Sequence, residues 1–183
     1  MKEQFKVKLT TKNITYMAMF MALQIVLEYV DKLWPSMPQG GALSISLTAI
    51  FLCSYLMGVG YGVLVGIGSC LLQFALGLAS YWGVWSVLFD YLLPLAVCGL
   101  APLVKSIKIG DKFIFHIGIL FAIFLKFLSH FYSGAIIFGS YAGDTNPFVY
   151  SFLYNAPYNF ISGIVCLVIF SVLYPRIKIA FRK

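Results

Sequence analysis

The sequence predicts an all-α integral membrane fold, a bundle of about six transmembrane helices, and three observations lead there. Hydrophobic residues make up 61% of the chain and charged residues only 10%, with a mean hydropathy of +0.93. Soluble chains run at roughly 45–50% apolar and about 25% charged, so this composition excludes a cytosolic enzyme, a disordered chain and a nucleic-acid module. A span needs about 20 apolar residues, so the 183 residues are filled by the spans and read as a single membrane domain. Finally, eleven of the 13 Lys and Arg fall in three segments: Lys2, Lys6, Lys8 and Lys12; Lys105, Lys108 and Lys112; Arg176, Lys178, Arg182 and Lys183. With six spans all three share one side, and the positive-inside rule makes that side cytoplasmic, N and C termini included.

Taken in order, the first span is expected over residues 14–33, with Glu28 and Asp31 near its outer end. No small-residue cleavage site follows it, so it reads as a retained span. The loop WPSMPQGG (34–41) holds two prolines and two glycines and continues neither neighbouring helix. A second span over 42–57 turns through GVGYG into a Gly-rich third over 63–78, suited to close helix packing. The aromatic segment ASYWGVW (79–85) lies at interfacial depth. A fourth span, 86–104, contains Asp90 and Pro94; a fifth, 113–138, contains Lys126 and His130; Pro147 opens a sixth over 148–173. Cys53, Cys70, Cys98 and Cys166 sit within apolar runs and read as packing residues.

Ionisable groups within spans are costly and face a protein interior or a wet cavity. At 1.5 Å per residue, Asp90 lies roughly 6 Å, His130 roughly 12 Å and Asn155 roughly 10 Å below the outer surface. Three spans thus deliver polar groups to one layer, with Tyr91, Tyr150, Tyr154 and Tyr158 able to add hydroxyls and ring faces. Lys126 and His130 share a helix face. Two roles stay open for Lys126, an ion pair with Asp90 or Glu28 and a direct ligand contact. For His130 an interhelical hydrogen bond competes with a ligand role.

Trp34, Tyr81, Trp82 and Trp85 read individually as interfacial anchors. Beside Asp90 they also make a carboxylate ringed by aromatics, which suits a flat organic cation. Ala18 and Ala22 form a small-xxx-small pair that admits a close helix, from within the bundle or from a partner. The sequence holds no G-x-x-x-x-G-K-[ST], H-E-x-x-H or G-x-S-x-G, so no catalytic centre or cofactor is expected.

SMPQGG (36–41), LFDYLLP (88–94), LKFLSHFYSGAIIFGSYA (125–142) and YSFLYN (150–155), in this order within six spans, resemble the thiamine-specific membrane components of energy-coupling-factor vitamin transporters. The resemblance covers nearly the whole chain. It implies a non-enzymatic subunit in a prokaryotic plasma membrane that captures thiamine from outside. It also implies docking on a transmembrane coupling subunit served by two ATPases. The site residues implied are Asp90, Tyr91, His130, Tyr150 and Asn155, and the partner-docking residues Ala18 and Ala22. The loop WPSMPQGG, outside, constrained and next to the polar layer, is expected to act as the lid. Some members carry Glu where this chain has Asp90 and some a stacking Trp at the place of Phe138, while another Trp of the family's first outer loop has no certain counterpart, since Trp34 lies on the far side of the Pro-x-x-Pro stretch. Phe138, Trp34 and Tyr81 complete the candidate set. The alternatives are a subunit for another vitamin or a thiamine precursor, and a stand-alone proton- or sodium-coupled carrier. The second would show paired repeats with interrupted helices, which the sequence lacks.

Overall fold

The structure, a computed structural model, describes residues 2–38, 40–110 and 113–181. Gln39 of the first loop and Lys112, Arg182 and Lys183 of the basic segments lie outside the described residues. Helix α1 spans Thr11–Asp31 and starts where the Thr10 hydroxyl accepts the Asn13 N–H at 3.3 Å, an N-cap that supplies one of the helix's orphan donors with a partner. The chain then stays irregular as far as Ser46, and α2 covers only Leu47–Met57.

The expected second span therefore begins five residues late, for a physical reason. Both Asp31 carboxylate oxygens accept backbone N–H groups, from Ile45 at 2.8 Å and Ser46 at 3.0 Å, and hold the preceding strand of loop inside the bundle. Eleven helical residues reach only about 16 Å, half of a hydrocarbon core of about 30 Å. Irregular backbone at that depth persists only where protein or a cavity surrounds it.

Helix α3 (Val59–Ala75) departs from expectation in the other direction. GVGYG does not form an extended turn: Gly58 alone, at φ +116°, breaks the chain, and α3 resumes at the next residue. Helix α4 (Val84–Cys98) contains a π-helical turn over Val87–Leu92. It stops short of residue 104, because Pro102 has no N–H for the Cys98 carbonyl; a 3-10 turn, Ala101–Leu103, follows.

The next segment was expected to turn helical at Phe113. Instead β1 (Ile107–Ile109) and β2 (Phe113–Phe115) pair antiparallel, with Ile107 opposite Phe115. Helix α5 runs Ile117–Ile136 and α6 runs Pro147–Phe181, eight residues beyond the expected end despite Pro157 and Pro175 inside it.

Phe51, Ile50, Val65, Ile119 and Phe170 are fully or almost fully buried at the centre of the bundle. All four cysteines are buried and free. Ile161, Ile164, Val168 and Val172 of α6 are exposed, an apolar face of the kind lipid covers. Among the described residues three helices, α1, α5 and α6, are by length and composition able to cross a membrane individually, and α2, α3 and α4 are shorter apolar helices.

The ends of the bundle differ. At one end the Lys8 N–H donates to the Tyr61 hydroxyl at 2.8 Å, Tyr16 packs on Phe181, and Lys178 lies over the Tyr174 ring. His116, just after the hairpin, packs edge-on to Tyr174, so the described basic residues of all three segments gather there. The other end holds the cavity.

Candidate functional site

A cavity of about 380 Å³ opens among α1, the 36–44 loop, α4, α5 and α6. On the α4 wall, Asp90 and Tyr91 lie in the π-helical turn, a backbone irregularity that recurs at functional sites. Ser86, one turn earlier, donates to Asp90 Oδ2 at 2.6 Å, which fixes the carboxylate against its own helix. The Tyr91 hydroxyl accepts the Ser80 N–H at 3.0 Å, tying down the segment before α4.

Helices α5 and α6 meet at the cavity because Gly134 lets them. A Cβ there would collide with Ser151 Oγ and come within 2.9 Å of Asn155 Nδ2. Behind this contact runs a hydrogen-bonded chain. Tyr158 donates to Asn155 Oδ1 at 2.5 Å, and His130 Nδ1 bonds the same phenol at 2.8 Å. Asn155 Nδ2 donates to Ser151 O at 2.9 Å and to Ser151 Oγ at 3.1 Å. A longer contact from the same nitrogen, to the His130 carbonyl at 3.3 Å, reaches across to α5, so the amide's donors are engaged within the protein and its Oδ1 already holds the Tyr158 hydroxyl.

Lys126 is 4% exposed and donates to Asn159 Oδ1 at 2.7 Å, with its ammonium 5.6 Å from the Tyr158 ring centre. Its hydrogen-bond partner is an amide, not the carboxylate of an ion pair with Asp90 or Glu28. Asn159 in turn donates to the Asn155 carbonyl at 2.8 Å, so both asparagines belong to one polar face of α6. Asn159 was missed in the sequence; its i+4 spacing from Asn155 is the signal that could have found it.

The irregular loop closes the α1 side. The Gly41 N–H donates to the Tyr154 hydroxyl at 3.0 Å and the Ser44 N–H to Ser162 Oγ at 3.0 Å, so α6 side chains satisfy backbone groups that helix would otherwise have satisfied. On α1, Glu28 Oε2 accepts from Ser46 Oγ at 2.9 Å, Gln24 Nε2 at 3.3 Å and Gln73 Nε2 at 3.4 Å. Glu28 and Asp31 both border the cavity. The sequence reading noted these acids without giving them the loop-holding role; their i, i+3 spacing on one helix face was the signal available.

Asp90, Tyr91, His130, Phe138, Tyr150 and Asn155 all line the one cavity. Two members of the candidate set do not. Trp34, half exposed at 51%, follows directly on the end of α1, and Tyr81 is 67% exposed. Around Tyr81 the chain turns Ser80 and Trp82 toward the cavity and leaves Tyr81 between them facing out. Trp82 supplies the ring expected of Tyr81, meeting Phe138 edge-on at 6.2 Å. Ala18 and Ala22 are exposed on α1.

Three carboxylates, Glu28, Asp31 and Asp90, and two ammonium groups, Lys32 and Lys126, border the cavity. With the edge-on pair of Trp82 and Phe138 and the stacked Tyr150 and Tyr154 rings, 5.9 Å apart, in its lining, the space suits a flat, positively charged heterocycle. Among the described residues no group of three His, Cys, Asp or Glu is arranged to hold a metal ion.

Comparison with known proteins gives concordant results. Residues 14–181 match the family described as Thiamine transporter protein (Thia_YuaJ). The curated protein named Thiamine transporter ThiT from Bacillus subtilis (strain 168) is 32% identical over 169 residues, 86% of this chain and 87% of the relative. A solved structure of ThiT from Listeria monocytogenes superposes with a TM-score of 0.75 at 15% identity, covering 92% of this chain and 96% of that one. At that identity the superposition speaks for the fold, an integral membrane bundle of six helices.

Proposed function

The chain belongs to the thiamine transporter family and is a multi-pass membrane protein of a prokaryote, and on that premise we propose that it is the thiamine-binding subunit of an ATP-driven importer. Thiamine joins an aminopyrimidine to a permanently cationic thiazolium. Asp90 accepts an N–H of the 4-amino group and attracts the cation, a charge-assisted contact strengthened by exclusion of water. Asn155 Oδ1 accepts the second amino N–H, and Tyr150 adds a hydroxyl at the pyrimidine edge. His130, Phe138 and Trp82 offer faces and edges to the rings, worth about 0.5–2 kcal/mol where a cation meets an aromatic face.

The observation that carries this reading is the convergence of α4, α5 and α6 on one cavity that holds a carboxylate among flat rings. The basic end of the bundle faces the cytoplasm, so the cavity opens outward, and the 34–41 loop is its lid. Ala18 and Ala22, exposed on α1, admit a helix of the transmembrane coupling subunit. Two ATPase subunits supply the energy, and this chain catalyses nothing itself.

Titration of the detergent-purified chain with thiamine tests the proposal, followed by calorimetry and by intrinsic tryptophan fluorescence, to which Trp82 in the cavity lining contributes. One saturable site is expected, with competition by thiamine far stronger than by its isolated pyrimidine. Absence of saturable binding would refute the reading. Equal competition by the pyrimidine alone would move the cargo to a precursor.

A further inference from the structure

The π-helical turn of α4 leaves one carbonyl that the helix cannot satisfy. In this turn the Leu93 N–H donates to Leu88 O, five residues back, rather than to Phe89 O four back. Continuing the same i→i−5 pattern, Phe89 O would need an N–H from residue 94, but residue 94 is proline. Both helical donors are therefore missing for Phe89 O. A buried carbonyl without a donor is costly, and the partner comes from the neighbouring helix: Ser129 Oγ of α5 donates to Phe89 O at 2.6 Å.

We propose that Ser129 is a positioning residue for ligand binding: by satisfying Phe89 O it fastens the π-helical turn and thereby holds Asp90 in the cavity. Asp90 is the next residue after Phe89, inside the same turn. Without the peg, the favourable course is for the Leu93 N–H to return to Phe89 O. That change regularises the turn and rotates Asp90 against the C-terminal half of α4 by up to about 100°, one residue's advance in an α-helix. The carboxylate would then leave the wall it shares with Tyr91. Ser129 need not touch the ligand, since it acts through the backbone of α4. The proposal rests on the reading of Asp90 as the acceptor of thiamine's 4-amino group.

The test compares thiamine with its 4-oxo analogue, which lacks the amino donors, by calorimetric titration of purified variants. Ser129→Ala is expected to weaken thiamine binding by roughly three- to ten-fold, the range of one neutral hydrogen bond, and to weaken the 4-oxo analogue, which keeps only the cation's attraction to Asp90, by clearly less. Ser129→Thr, which keeps a hydroxyl, is expected to retain most of the wild-type ratio between the two ligands. In an Asp90→Asn background Ser129→Ala is expected to have no further effect on thiamine. Wild-type thiamine affinity in Ser129→Ala, or equal weakening of both ligands, would overturn the proposal while leaving Asp90's role intact. If Asp90→Asn alone binds thiamine as the wild type does, the role of Asp90 fails first and the proposal with it.

Discussion

The Tyr158 hydroxyl donates to Asn155 Oδ1 at 2.5 Å, and this single bond sets the state of a third residue. A phenol has one proton, so His130 Nδ1, 2.8 Å from the same oxygen, must be the donor in their contact. Tyr158→Phe would strand the His130 N–H and one Asn155 lone pair in a buried place. A loss of about 1–3 kcal/mol in unfolding stability is expected, with weaker thiamine binding. An unchanged melting temperature in detergent would contradict this.

Asp90→Asn keeps the shape of the side chain and removes its charge. Thiamine binding is expected to weaken by at least about 1.5 kcal/mol, the lower end for a hydrogen bond to a charged group. Calorimetry on the purified variant reads it directly, and wild-type affinity would remove Asp90 from the site.

Asp31 acts on the loop. Its two oxygens accept from Ile45 and Ser46, and an amide in its place can accept with only one. Asp31→Asn is expected to free the approach to α2, raise the thiamine dissociation rate in stopped-flow fluorescence, and reduce stability by about 1–3 kcal/mol. A dissociation rate equal to the wild type would show that the lid is held elsewhere.

At Gly134 a single methyl suffices. Gly134→Ala places a Cβ against Ser151 Oγ, in a crowded contact whose relief costs typically about 1–3 kcal/mol. Parting α5 from α6 also disturbs His130 and Asn155 together, so reduced thermal stability and reduced affinity should appear in the same variant. Affinity held at the wild-type level would mean that the two helices can separate without disturbing the cavity.

If Ala18 and Ala22 are the docking face proposed above, substitutions there separate binding from transport. Leucine at both positions fills an exposed face remote from the cavity, so thiamine affinity in detergent is expected to stay unchanged while uptake by cells with the coupling partners falls. Normal uptake by the double variant would place the docking face elsewhere.

Much of the bundle was legible because lipid imposes one-dimensional rules: apolar run lengths, basic segments and prolines mark helices without knowledge of their neighbours. The same rules made Asp90, His130 and Asn155 stand out, since a polar group at depth needs a reason that the sequence alone makes visible. They failed wherever one segment borrows partners from another. The late start of α2 depends on Asp31 and Ser162 meeting loop N–H groups from 14 and 118 residues away in sequence. Trp82 rather than Tyr81 faces the cavity because of how the chain before α4 turns, which no periodicity records.

What the sequence by itself determined is the solvent of this protein, because that follows from composition. Only the tertiary structure decided which donors and acceptors remain for a ligand. That count depends on pairings across helices: Ser129 with Phe89, Lys126 with Asn159, Tyr158 with His130 and Asn155. A buried polar atom's chemistry belongs to its partner as much as to itself, and partners distant in the chain are found only when it folds.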